Sequence, residues 1–216
     1  MTRPLAALEF LFAAGVVLGH NVWRVVPNEV VILTAVAILS MRLRAAGWNW
    51  TLLGFRRPES WRVIVGAALA AATLRILLGD FVVEPAAAAI WPAPALPEAA
   101  SDIAGNPAYA LMMLGVVWSF AAFGEEIAYR GYLLNRGADA LGGTMPAFWI
   151  AAVASAVLFG FGHAYKGPAG IIDSGVAGLI LAAAYLVTGR NLWTCVFAHG
   201  FIDTFAVAAI YGGLYD

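Results

Sequence analysis

Lysine and cysteine are nearly missing from this chain: Lys166 and Cys195 are single occurrences among 216 residues. A lone thiol cannot close an internal disulfide, and Cys195 sits in an apolar run where it reads as a small buried hydrophobe. Charge of either sign is scarce as well. Asp, Glu, Lys and Arg together make up 12% of the residues, about half the share usual in globular domains. The formal charge of −1 says nothing about nucleic acid, but there is no basic stripe and no groove of interleaved aromatics, so none is expected as a partner. No internal repeat is evident, which removes a feature many transporters show.

What fills the chain instead is hydrocarbon. Hydrophobic residues account for 62%, the mean hydropathy is +0.84, and there are eight tryptophans. A water-soluble core of this size would leave more apolar surface than water tolerates. The composition therefore predicts an all-α, polytopic transmembrane bundle. A span needs about 20 mostly apolar residues. The stretches that qualify are Leu5–Trp23, Val30–Arg42, Trp61–Val83, Ala108–Arg136, Met145–His163, Ala169–Thr188 and Leu192–Tyr211, about seven in all, the second being short. The first follows Arg3 without a small-residue cleavage pattern, so it reads as a retained span rather than a signal peptide. Between the third and fourth, Glu84–Pro107 contains Pro85, Pro92, Pro94, Pro97 and Pro107 and is expected to be a loop.

Short arginine-rich loops stay on the cytoplasmic side. Arg42, Arg44, Arg56, Arg57 and Arg62 join the second and third spans. Placing them inside puts the N-terminus with Arg3, Arg136 and Arg190 inside too. The proline-rich loop, carrying Glu84, Glu98 and Asp102, then falls outside, as do Arg24 and Lys166. Arginine in place of lysine, together with abundant alanine, is the usage of a GC-rich bacterial genome, and a bacterial inner membrane is the expected location.

The fourth span holds two adjacent carboxylates, Glu125 and Glu126, inside a helix that should run on to a stop at Gly142-Gly143. Ionisable groups at membrane depth are costly and mark function by default. Glu126 and Arg130 are four residues apart, so they share a helical face and can form an ion pair. Glu125 points about 100° away and is the carboxylate left for chemistry. A helix ending at Ala122 would instead leave both glutamates solvated at the membrane border.

Two histidines lie in later spans. His163 closes the run Phe159-Gly-Phe-Gly-His163. His199 sits within Cys195-Val-Phe-Ala-His199-Gly-Phe-Ile-Asp203, one turn from Asp203 and on its face. A lone buried histidine is more often structural than catalytic, but two on separate spans beside an intramembrane glutamate shift that balance. His20, near Asn21 and Trp23, is explained by interfacial placement. At about 1.5 Å of rise per residue, Glu125 lies about 17 Å in from Arg136, and His199 about 13 Å in from Arg190. His163, counted from Pro146, comes out higher, at about 25 Å.

Glu125-Glu126-Ile-Ala-Tyr129-Arg130 has the form EExxxR, Phe159 to His163 the form FxxxH, and His199 to Asp203 the form HxxxN/D. Their order on successive spans resembles the CPBP intramembrane endopeptidases, which include the type II CAAX prenyl proteases and bacteriocin self-immunity proteins. The resemblance covers the chain from Ala108 onward. It divides a single transmembrane domain, 1–216, into N-terminal spans with the external loop (1–107) and a catalytic core (108–211).

By that resemblance, Glu125 is the general base that activates a water, with His163 holding it, in an active site inside the membrane. His199 and Asp203 bind the oxyanion, while Glu126 and Arg130 support the site. The substrate implied is a membrane-associated peptide or protein, approached within the bilayer. Asp203 departs from the commoner asparagine: an ionised carboxylate accepts hydrogen bonds but does not donate them. It is therefore expected to orient and charge His199 so that the imidazolium donates. No cofactor is implied. The zinc-protease signature HExxH is absent, although Glu125, His163 and His199 are suitable zinc ligands by type. Neither Ser155 nor Ser174 has the glycine-rich setting a serine nucleophile would need. A non-enzymatic membrane protein remains the rival from another class: a transporter, a proton relay or an immunity factor.

Overall fold

A computed structural model describes residues 2–45, 47–91 and 99–214. It is all-helical among those residues. The helices are α1 (Arg3–Asn21), α2 (Glu29–Ala45), α3 (Trp61–Ala88), a short α4 (Ala99–Ile103), α5 (Pro107–Ala140), α6 (Met145–Phe161), α7 (Ala164–Val187) and α8 (Leu192–Tyr211). Five of them, α1, α3, α5, α7 and α8, are long and apolar enough to cross a membrane. The 17-residue helix α6 is apolar but shorter, and α2, also of 17 residues, carries Glu29, Arg42 and Arg44 at its ends. Leu8, Leu11, Val63, Phe81, Leu111, Ile150, Val157 and Val187 turn more than half of their surface outward. Such a belt is stable only against hydrocarbon. The chain is a multi-pass membrane protein.

The helix starts follow from local chemistry. Asn106 precedes Pro107, and its side chain accepts from the Tyr109 amide. Thr144 does the same for Ala147 ahead of Pro146, and Asn191 for Trp193. In each case a side-chain oxygen satisfies an amide that the first turn leaves open. The expected stop of α5 is present: Gly142 and Gly143 have φ of 99° and 68°, a left-handed conformation that side chains other than glycine rarely adopt.

The stretch Glu84–Pro107 is less of a loop than its prolines indicate. Helix α3 passes through a wide π turn at Gly79–Val83 and continues to Ala88. Pro85 opens that last helical piece, where its missing N–H is tolerated. Ala99–Ile103 is helical too, and the Gly105 amide donates to the Tyr211 carbonyl at 3.2 Å. Pro92, Pro94, Pro97 and Glu98 lie outside the described residues.

Small residues bring α6 and α7 together. A Cβ built on Gly178 would stand 3.1 Å from the Cβ of Phe159 and 3.2 Å from the Cα of Ala156. Close backbone approach through glycine is how apolar helices gain packing without a hydrophobic driving force between them. The segment between α2 and α3 folds under the bundle rather than trailing outside it. A 3-10 turn, Trp50–Leu53, buries Leu53, and the Gly54 carbonyl accepts from the Leu192 amide at 2.8 Å. Helix α8 therefore begins on a floor made by this segment.

Candidate active site

Half of α5 is wound more widely than an ordinary α-helix, with π geometry over Val117–Glu125 and Ile127–Leu134. Such wide turns are rare and recur at functional sites. The two glutamates sit where these stretches meet. The carbonyl of Gly124, just before them, accepts from the Thr34 hydroxyl of α2 at 3.1 Å. The helix also runs four residues past Arg136, to Ala140. Counted from there, Glu125 is about 22 Å in, which removes most of its apparent mismatch with His163.

Glu126 and Arg130 form the expected pair, Nη1 to Oε1 at 2.8 Å, with side chains 0% and 1% exposed. The same carboxylate oxygen takes a second bond, from Nδ1–H of His199 on α8 at 2.7 Å. Arg130 also donates to the Gly178 carbonyl of α7 at 3.0 Å and lies 4.5 Å over the ring of Phe159 on α6. One buried ion pair thus fastens α5, α6, α7 and α8 together. A buried pair of this kind is costly unless further hydrogen bonds meet its remaining valences; these contacts meet part of them, and Glu126 Oε2 and Arg130 Nε stay without a partner among the described residues.

His199 faces carboxylates on both sides: Nδ1 meets Glu126, and Nε2 stands 3.6 Å from Asp203 Oδ2. Its ring is 7% exposed, whereas the Asp203 side chain is 24% exposed. Glu125 is partly exposed, yet its Oε2 is buried with no hydrogen-bond partner among the described residues. It lies within Coulombic reach of His199, Asp203, Glu126 and Arg130. His163, in the turn after α6, passes its Nδ1–H to the Phe159 carbonyl at 2.9 Å. The Phe159 ring lies 4.8 Å from His163 and 6.1 Å from His199, so it forms a wall common to both imidazoles.

The residues singled out in the sequence fall into two groups. Glu126, Arg130 and His199 are buried, with Arg130 and His199 both bonded to Glu126. Glu125, His163 and Asp203 are partly exposed around them. Among the described residues, no three His, Cys, Asp or Glu side chains are grouped to share a metal ion; that holds for Glu125, His163 and His199.

Sequence reasoning missed the Glu126–His199 bond. It also missed the Arg75–Asp173 ion pair at 2.5 Å between α3 and α7, on the Lys166 side of Asp203. An arginine and an aspartate in separate apolar spans were the available signal. His20 is bonded at both nitrogens, to the Val26 carbonyl at 2.8 Å and Glu29 at 3.1 Å.

Residues 107–205 match the model of a protein family described as type II CAAX prenyl endopeptidase Rce1-like. No curated protein and no solved structure matches the chain. The matched stretch begins with α5 and ends two residues past Asp203, so it encloses all three motifs. Over residues 107–205, a little under half of its length, the chain is thus similar to the Rce1-like type II CAAX prenyl endopeptidases, a family of membrane proteases.

Proposed function

We propose that the protein is an intramembrane endopeptidase of the glutamic type, hydrolysing a peptide bond of a membrane-associated peptide or protein. The observation that carries this reading is the contrast between the two adjacent glutamates. Both keep a buried Oε2 without a partner, but Oε1 of Glu126 is bonded to Arg130 and His199 together, whereas no ion pair or side-chain hydrogen bond holds Glu125 among the described residues. Glu125 is then the base, taking a proton from a water as that water attacks the scissile carbonyl. A base positioned in this way contributes about 10²–10⁴-fold. His163, whose Nδ1 is fixed by the Phe159 carbonyl, presents Nε2 to the same water.

His199 is the oxyanion donor in this scheme. The Glu126 carboxylate, gripped by Arg130, serves as an acceptor, so the Nδ1 proton of His199 belongs on that side. Asp203 opposite Nε2 favours an imidazolium, which presents a charged N–H to the developing oxyanion. Donors fixed in advance at that point are typically a large share of catalysis. Asp203 acts through His199 rather than on substrate. The substrate side is open to a lipoprotein or sorting-signal tail, a membrane-embedded peptide or a secreted bacteriocin, and the cell is proposed to be bacterial.

The test compares membrane peptides from wild-type cells with those from a Glu125→Ala strain. A peptide that accumulates uncleaved in the variant is expected. Identical peptide profiles in the two strains would favour a non-enzymatic carrier or immunity factor.

A further inference from the structure

At the end of the bundle opposite the Lys166 turn, a cavity of about 420 Å³ opens between the Trp50–Leu53 turn and the ends of α5 and α7. Its walls include Arg56, Arg136, Arg190, Asn135, Tyr185 and Asp139. None of these belongs to the site already described. Three guanidiniums against one carboxylate leave the cavity positive.

Arg136 is held by Asp139 at 2.9 Å and by Glu9 at 4.0 Å. Arg56 and Arg190 form no ion pair among the described residues. Arg56 donates only to the Gly189 carbonyl at 3.5 Å, and the Arg190 guanidinium lies 4.5 Å over the ring of Phe148. Tyr185 accepts from Asn135 at 2.9 Å, so its own hydroxyl proton is available to an acceptor. The backbone adds a second, independent observation. Arg190 has a φ of 60°, a left-handed conformation that costs a side chain roughly 1 kcal/mol or more and that glycine adopts freely. An arginine in that conformation at the lip of a cavity places a guanidinium there at a cost to the turn.

We infer that this cavity binds a phosphate monoanion or diester, with Arg56 and Arg190 as its donors, and that the source is the headgroup of an anionic phospholipid. Guanidinium forks match phosphate oxygens in pairs. The rim favours a lipid over a free ion. Leu52, 43% exposed, lines the cavity, and Trp48 and Trp50 stand beside it, 64% and 42% exposed and stacked at 5.7 Å. Exposed tryptophans of this kind mark the headgroup level of a bilayer, and basic pockets between spans are where anionic headgroups are recognised.

The test uses the full chain in micelles doped with phosphatidylglycerol or phosphatidylcholine, with retained lipid counted by native mass spectrometry. Phosphatidylglycerol is expected to be retained over phosphatidylcholine. Retention should fall about fivefold in Arg56→Gln and again in Arg190→Gly, and stay unchanged in Arg57→Gln, an exposed neighbour outside the cavity. Arg190→Gly keeps the left-handed turn without strain; Arg56→Gln, at an exposed position, carries the test alone if that variant does not fold. Displacement of the lipid by millimolar inorganic phosphate would keep the anion site and assign it a soluble ligand. No preference between the two lipids, or an equal loss in Arg57→Gln, overturns the proposal.

Discussion

His199 and Arg130 grip the same oxygen of Glu126, at 2.7 and 2.8 Å. The second glutamate of the pair is therefore not simply the anion that neutralises Arg130. It also fixes the tautomer and tilt of an imidazole on another span, and so joins the support of the site to the donor proposed for catalysis.

Breaking that junction should cost stability before it costs anything else. Glu126→Gln and Arg130→Met each leave a buried charge without its partner, a loss of about 3–5 kcal/mol. The double replacement should cost less than the sum, because it removes both charges. Thermal unfolding of the purified chain in detergent measures all three. Additive losses would mean that the two side chains do not act as a pair.

Asp203 tests how His199 works. If the carboxylate orients and charges the imidazole, Asp203→Asn should lower turnover roughly 10²-fold with substrate affinity little changed. The same replacement in a His199→Gln background should then add almost nothing, since one residue acts through the other. Near-normal turnover in Asp203→Asn would instead assign residue 203 simple hydrogen-bond donation.

The chemistry proposed for Glu125 uses a water and no metal. Activity in purified protein should therefore survive prolonged treatment with a strong chelator. Loss of cleavage that zinc restores would replace this scheme with one in which Glu125, His163 and His199 move together around an ion.

Glycines separate packing from propensity. A Cβ on Gly160 would stand 2.5 Å from the Ile171 carbonyl oxygen and 3.3 Å from the Gly175 backbone, whereas one on Gly66 of α3 meets nothing within 4 Å. Gly160→Ala should destabilise by about 1–3 kcal/mol through overpacking of α6 on α7. Gly66→Ala should be neutral or gain up to about 1 kcal/mol from helix propensity. Unfolding midpoints that shift alike would show that the α6–α7 contact has slack.

The spans and the Glu126–Arg130 pair were legible in the sequence because both depend on local spacing: runs of hydrocarbon, the four-residue step, a pair of glycines at a stop. Three things were not. The bond from His199 to Glu126 joins positions 73 residues apart, and no periodicity encodes which face of one span meets which face of another. The helix past Val83 was hidden because Pro85 reads as a breaker, yet it falls at a helical start. The depth of His163 stood apart because Glu125 was counted from Arg136 rather than from the end of the helix at the glycines.

The Gly54 carbonyl beneath Leu192 bears on how the family match should be used. The matched stretch begins at residue 107, but α8 is seated on a carbonyl from residue 54, Asn191 reaches the Arg56 carbonyl at 3.1 Å, and Thr34 holds the backbone just before Glu125. The edge of recognisable ancestry is thus not a seam in the protein. A fragment cut there, or a chimera that grafts 107–205 onto foreign N-terminal helices, would carry every motif and still lack the scaffold that holds them in register.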